Sequence, residues 1–493
     1  MTADHTAFST DEHGLKGLSL DSRLRQVFSQ MAPEKVVELA GQLPEVARRH
    51  RMVYVREGQE EVINVMLRPA GVMADQLAYF HVVTLAILNA VKRLPDLYIQ
   101  DFAVREVVPL SPDEEKWLWD TWGPSQQDSN PVFGRLDAMV DFTSPVWKDT
   151  LQFVEPNLCG VGGIHLIPSC EHVLEEVVVP AVRTLAPEVD IESGLDLREM
   201  FIQEMLDHLE NIGHSGRNIC FVEPKYSGDG PDELSALADY YRQTRGLTVV
   251  HADPAELHLK QGQVWYEDIR VDAAYRDYEV RDLIDLEAEE GQDMRPMKTL
   301  FRANRIVSSM AGDFDHKSCW EVLTDPRFAK YWSADERRYF RRHVLWTRLL
   351  GQRRTTNPEG EPVDLPEYVR QNQEELVLKP NRSYGGDRVI IGPSVNEGEW
   401  EAAIQEALIG EEPFVAQRLA RISVSEFPIV TPDGAVKFEP FYMVMGFAPT
   451  KYGVAVLGRA SQRQVVNVAQ RGGMCGVLVG RHTHKLHGPG TIH

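Results

Sequence analysis

Apolar residues in the first hundred positions recur three and four apart, as at Val62, Val65 and Met66 and again at Leu85, Leu88 and Val91. That spacing lays a single apolar stripe on a 3.6-residue helix, so residues 20–97 are expected to form a helical N-terminal region. The rhythm breaks in a stretch rich in Pro, Ser, Asp and Gly at 123–131. Two short strand-like runs follow, 136–142 and 150–155.

The middle of the chain alternates differently. Residues 219–223 and 247–251 read as strands on either side of a helix over 231–244, with Pro231 in its first turn. Further strands are expected at 263–267 and 271–276. Strand–helix–strand order implies a right-handed parallel crossover in a small α/β sheet. The glycine-bearing loop at 227–230 lacks the full GxGxxG of a dinucleotide fold, so nicotinamide binding is not expected. A charged helical stretch is expected over 335–354. Strands should then cover 375–379, 388–391 and 414–417, with a helix at 400–408. A final hairpin, 422–431 with 435–445, would turn at Pro432-Asp433-Gly434.

Counts sharpen this picture. The chain has 493 residues, 43% hydrophobic, with 29 Pro and 36 Gly, a globular composition that excludes collagen-like and disordered classes. At roughly 100–200 residues per domain, several domains or one elaborated architecture are expected. The 52 Lys and Arg against 74 Asp and Glu give a net charge of −22, which argues against nucleic acid or an anionic membrane as a partner. Residues 1–14 carry no apolar signal core, and the apolar run 81–91 is too short to span a bilayer. Five scattered cysteines without a CxxC pair are expected to be free buried thiols in a reducing cytoplasm.

Three constellations carry candidate chemistry. Lys379 ends an apolar run and is followed by Asn381-Arg382-Ser383-Tyr384-Gly385-Gly386. An ammonium at a strand end with glycines behind it suits phosphate oxygens, because backbone N–H groups close over them without Cβ clashes. On its own the stretch is equally a β-hairpin with a Gly-Gly turn. Arg135-Leu136-Asp137 and Glu155-Pro156-Asn157 sit on successive strands. Their carboxylate and amide oxygens suit a hard cation such as Mg²⁺, and alternate positions put Glu155 and Asn157 on one face. An exposed turn would also explain them. Arg459, with Asn467, Gln470 and Arg471 beyond it, provides bidentate donors for phosphate or carboxylate, or equally a charged edge strand.

Taken in order, these residues resemble the ATP-grasp superfamily, and specifically its circularly permuted branch, which includes the synthetase domain of glutathionylspermidine synthase. The resemblance covers roughly residues 130–480 and leaves the N-terminal helices unmatched. Asp315-His316-Lys317-Ser318 looks like the first ATP lysine and Lys379 like the second, 62 positions later. Ser383 to Gly386 resembles the glycine-rich lid. Residues 414–418, with Val415 and Gln417, resemble the hinge strand over adenine, and Arg459 with Asn467 the following segment. The metal ligands should come next, yet residues 474–493 contain no carboxylate. The matching Asp137, Glu155 and Asn157 lie far upstream, the displaced order of the permuted branch.

The resemblance implies an α/β (α+β) architecture: a helical region 1–115, permuted metal-ligand strands 116–215, a pre-ATP-grasp α/β domain 216–300 and a nucleotide-binding domain 301–493. It implies an ATP- and Mg²⁺-dependent ligase joining a small-molecule or peptide carboxylate to an amine or thiol through an acyl phosphate. Asp137, Glu155 and Asn157 would hold Mg²⁺. Lys317 and Lys379 would hold phosphates under the lid, and Arg459 and Arg135 would steady the transferring charge. A non-catalytic nucleotide-binding accessory protein and a phosphotransferase are the alternatives. The C-terminal histidines 482, 484, 487 and 493 read as a solvated tail rather than a metal site. Beyond Glu439 the last 54 residues carry no carboxylate but six cations, Lys451, Arg459, Arg463, Arg471, Arg481 and Lys485. Average usage predicts about eight carboxylates there, so a positive wall facing a triphosphate is expected.

Overall fold

The computed structural model describes residues 19–226, 230–383, 386, 388–463 and 472–481. A six-stranded antiparallel sheet organises the chain. Its order is Gly473–Cys475, Gly453–Ser461, Val436–Thr450, Arg135–Met139 and Gln152–Asn157, with Ser423–Val430 paired to the outer half of Val436–Thr450. Strands from the first third of the chain thus lie against strands from its last fifth. The inner half of Val436–Thr450 is buried from Met443 onward, which is why it reads as a continuous apolar run without alternation.

A second sheet is wholly parallel, in the order Ile306–Val307, Ala273–Arg276, Ile219–Val222, Val249–Ala252. The helix Glu233–Arg245 connects its last two strands and ends at Gly246, whose φ of 60° places it in the left-handed region that closes helices. The expected strand–helix–strand unit is therefore present. A third, antiparallel sheet holds Thr347–Leu349, Phe414–Arg418, Leu376–Pro380 and Ile390–Ile391. The helix Glu397–Ile409, capped by Asn396 and Glu399, covers it. Trp346, Leu376, Leu378, Trp400, Ile404 and Phe414 form its own small core.

Three expectations need correction. The N-terminal region is not helical throughout: after the helices Leu20–Gln30 and Pro33–Arg49 come strands Val53–Arg56, Gln59–Val62 and Ala70–Met73. Val65 bridges to Met474, and Ala70–Met73 runs parallel to Val477–Gly480, so distant pairing overrides a local three-four spacing. The charged stretch after residue 334 is helical only over Ala334–His343 and then turns into the strands Thr347–Leu349 and Arg354–Thr356. With the strand Pro362–Asp364 and the helix Leu365–Gln371, these elements fill the gap between Lys317 and Lys379. The apolar run is also longer than the sequence suggests. Ala74–Gln100 is long and apolar enough by length and composition to cross a membrane, although here Phe80, Val83, Ile87 and Val91 pack into the core.

Candidate functional site

The central sheet sets the site. Asp137 lies directly opposite Glu155 on one neighbour and Gly446 on the other, and Arg135 opposite Asn157. Directly opposed side chains on one face stand about 4.5–5.5 Å apart at Cβ, so both carboxylates share one surface. Arg135 donates from Nε to Asp137 Oδ1 at 2.9 Å and from Nη1 to the Gly162 carbonyl at 2.7 Å. Arg459 reaches across from the Gly453–Ser461 strand to Asp137 Oδ2 at 2.5 Å. Burial alone would raise the Asp137 carboxyl; Arg135 and Arg459 outweigh it and hold it down to about 2.

Gly446 makes this crossing possible. A Cβ there would lie 2.5 Å from Arg135 Cδ and 2.8 Å from both Arg135 Nε and Asp137 Oδ1. Arg135 is pinned by two partners and cannot yield cheaply. Gly446→Ala is therefore expected to lose about 1–3 kcal/mol, the overpacking range, despite alanine's better backbone propensity, read as a lower urea midpoint.

Lys317 contacts Glu155, and Lys379 feels its charge without touching it. Lys317 Nζ lies 3.4 Å from Glu155 Oε2 and donates to the Ser383 carbonyl at 2.7 Å. Its position is fixed from two sides. Asp315 accepts the Leu158 N–H at 3.1 Å, tying the segment to the end of the Gln152–Asn157 strand. The Lys317 N–H donates to the Asn381 carbonyl at 3.0 Å and the Ser318 N–H to Asn381 Oδ1 at 2.9 Å, tying it to the end of the Lys379 strand. Lys379 Nζ donates to Gln417 Oε1 at 2.9 Å. Burial pulls the Lys379 ammonium below its ordinary value and Lys317 adds to this, while Glu155 and Asp137 pull against them. Arg382, just before the expected lid, is clamped by Glu114 at 2.6 Å and Glu279 at 3.0 Å.

The sequence-predicted residues fare differently. Asp137, Glu155, Asn157, Lys317, Lys379 and Arg459 are brought to one face or its rim. Val415 is fully buried opposite Lys379 on the adjacent strand. Gln417 differs from a nucleotide-facing role: its amide is engaged by Lys379, Thr347 and the Val154 carbonyl. Arg135 likewise turns inward and positions Asp137. Ser383 presents its carbonyl to Lys317, and Gly386 adopts a φ of 77°. Tyr384, Gly385 and Asn467, with the C-terminal histidines, lie outside the described residues.

The positive wall is corrected. Lys451 pairs with Asp207 and Arg481 with Glu192, and Lys451 sits in the turn before the strand Gly453–Ser461, whose first residue is already six strand steps, about 20 Å at 3.3 Å each, from Arg459. Among its described residues the carboxylate-free tail is instead mostly buried strand, where charge is costly. The sequence reading also missed the loop of Gly160, Gly162 and Gly163. The buried Glu233 carboxylate accepts the N–H groups of Gly163 and His165 at 2.9 and 2.7 Å. The dense glycines directly after Glu155-Pro156-Asn157 were the available signal.

Among the described residues no three of His, Cys, Asp and Glu form a metal-holding group. Asp137, Glu155 and the Asn157 amide oxygen nevertheless fit a hard cation that takes its remaining ligands from phosphate and water, as Mg²⁺ does. Arg459 Nε is buried without a partner among the described residues, a donor left over for a ligand.

No protein-family model matches the sequence, and no curated protein is similar to it. Among solved structures, the chain resembles a glutathione synthetase-like effector from Globodera pallida in its apo form. The likeness has a TM-score of 0.58 at 11% identity and covers 91% of this chain and 98% of that one. A RimK-domain ATP-grasp protein from Sphaerobacter thermophilus aligns over 52% of this chain and 94% of that one, at 14% identity and a TM-score of 0.25. The first likeness shows that the chain shares the mixed α/β fold of that glutathione synthetase-like protein.

Proposed function

We propose that this protein is an ATP-dependent ligase that joins a carboxylate to an amine or thiol through an acyl phosphate, releasing ADP and phosphate, on a circularly permuted ATP-grasp frame. The observation that carries the reading is the meeting of two lysines, two facing carboxylates and Arg459 from three separate stretches of chain. The fold of a glutathione synthetase-like protein supports it.

Phosphoryl transfer of this kind needs positioning and charge neutralisation more than covalent help. Lys379 and Lys317 hold phosphate oxygens, and Asp137, Glu155 and Asn157 hold the cation. When bound, Mg²⁺ neutralises the charge that develops on the phosphates. Arg459 keeps one donor on Asp137 and offers its Nε to the transferring group. Arg135 fixes Asp137 from behind. Ser383 and Gly386 bound the segment that excludes water from the acyl phosphate. No protein nucleophile is needed, and all five cysteines are buried, with burial pushing their thiols above the ordinary range.

Calorimetry with Mg·ATP, followed by ADP and phosphate release across a panel of carboxylates with amino acids, polyamines and thiols, tests this. ADP and free phosphate should appear together with one substrate pair. Phosphate retained on a product would make the protein a phosphotransferase. Tight nucleotide binding without turnover on any pair would make it an accessory binder.

A further inference from the structure

A cavity of about 130 Å³ opens where the helix Ala74–Val91 ends against the helix Leu197–Asn211 and the hairpin turn at Lys451. Phe133, Phe201 and Met205 give it an apolar floor, and Lys92 and Glu204 bring opposite charges to it. These two do not form an ion pair. The Lys92 ammonium makes no hydrogen bond or ion pair among the described residues, although burial draws it below the ordinary lysine range and Glu204 pulls it back. Glu204 accepts the Lys451 N–H with one oxygen; the other has no partner among the described residues, and burial raises this carboxyl.

The neighbours that could neutralise them are already engaged. Lys451 Nζ pairs with Asp207 at 2.5 Å, Asp207 also accepts the Tyr452 hydroxyl, and His208 Nε2 bonds the Asn304 carbonyl at 2.7 Å. Half-buried charges left unpaired are unfavourable. A single small ion would satisfy one of them and leave the other. A molecule carrying an anion and a cation close together satisfies both. The cavity is well below the about 300–1,000 Å³ of drug-sized ligand and cofactor pockets, so its occupant has few heavy atoms.

We infer that this cavity binds a small α-amino acid with a short apolar side chain: its carboxylate meets Lys92, its ammonium meets Glu204, and its side chain lies on Phe133, Phe201 and Met205. This site stands apart from the ligase reading and does not depend on it. Isothermal calorimetry of the full chain with glycine, L-alanine, L-serine and L-valine, against acetate and methylamine as the two half-ligands, tests it. At least one amino acid should bind saturably, and each half-ligand at least tenfold more weakly. Lys92→Met and Glu204→Gln, checked for folding by circular dichroism, should each weaken the amino acid tenfold or more. No saturable heat at millimolar concentration would mean that the cavity holds only water and would overturn the inference. So would binding that neither variant weakens, or acetate binding as tightly as the amino acids.

Discussion

Lys379→Met is expected to reduce Mg·ATP-dependent turnover by about 10²–10³-fold, the range for removing one preorganised donor from a developing charge. Nucleotide affinity should fall less, by roughly 10–150-fold, since a hydrogen bond to a charged group contributes about 1.5–3 kcal/mol and each 1.4 kcal/mol is about tenfold. The fold should survive. Lys379 is only partly buried at the end of its strand, and methionine replaces the apolar stem while removing the ammonium. The one structural debt is Gln417, whose Oε1 loses its donor. Its amide nitrogen keeps Val154 and Thr347, so the side chain stays in place. Turnover measured as ADP release, with Kd from calorimetry, separates the two effects. If turnover stays within threefold of wild type, Lys379 does not hold a reacting phosphate.

What could be read in the sequence follows from how local each signal is. The strand–helix–strand unit around Glu233–Arg245, the hairpin at Gly434 and the lysine strand Leu376–Pro380 are decided by neighbours in sequence, and the structure has them. The meeting of Asp137 with Arg459 spans 322 positions. It was reached only through a family pattern of residue order, since no periodicity encodes it. Residues 53–73 failed for the converse reason. Their spacing suits a helix, but Val53–Arg56 and Gln59–Val62 pair with each other as a hairpin, and Val65 and Ala70–Met73 find their backbone partners, Met474 and Val477–Gly480, four hundred residues away. The charge gap after Glu439 was real as a count and, among the described residues, misleading as a surface. It records burial of the central strands, and its cations at 451 and 481 answer carboxylates on other elements. Gly446 was legible in principle, because a glycine inside an apolar strand marks a close approach.

Asp137→Asn is expected to have the largest effect on stability of any single change in the site, about 3–5 kcal/mol at pH 7, because it leaves two guanidinium groups buried without their counter-charge. Its pH dependence identifies the cause. The wild-type carboxyl titrates at about 2 in the fold, below its unfolded value of about 3.9. A depressed acid contributes stability that is fully present above about pH 4 and is lost as pH falls through about 2. At about 1.4 kcal/mol per unit the contribution is about 2.5 kcal/mol. Asparagine has no such contribution to lose, so the gap between variant and wild type should narrow as urea unfolding is repeated at pH 5, 4, 3 and 2.5. A gap that stays constant would assign the loss to packing rather than to the ion pair. The same variant discriminates at the functional level. Mg·ATP should raise the melting temperature of wild type by mass action and leave Asp137→Asn nearly unmoved, even where the variant is fully folded. A stability defect alone would lower both melting curves and preserve the nucleotide shift. Loss of the shift in folded protein therefore marks Asp137 as a group that meets the bound cation, beyond its part in holding Arg135 and Arg459.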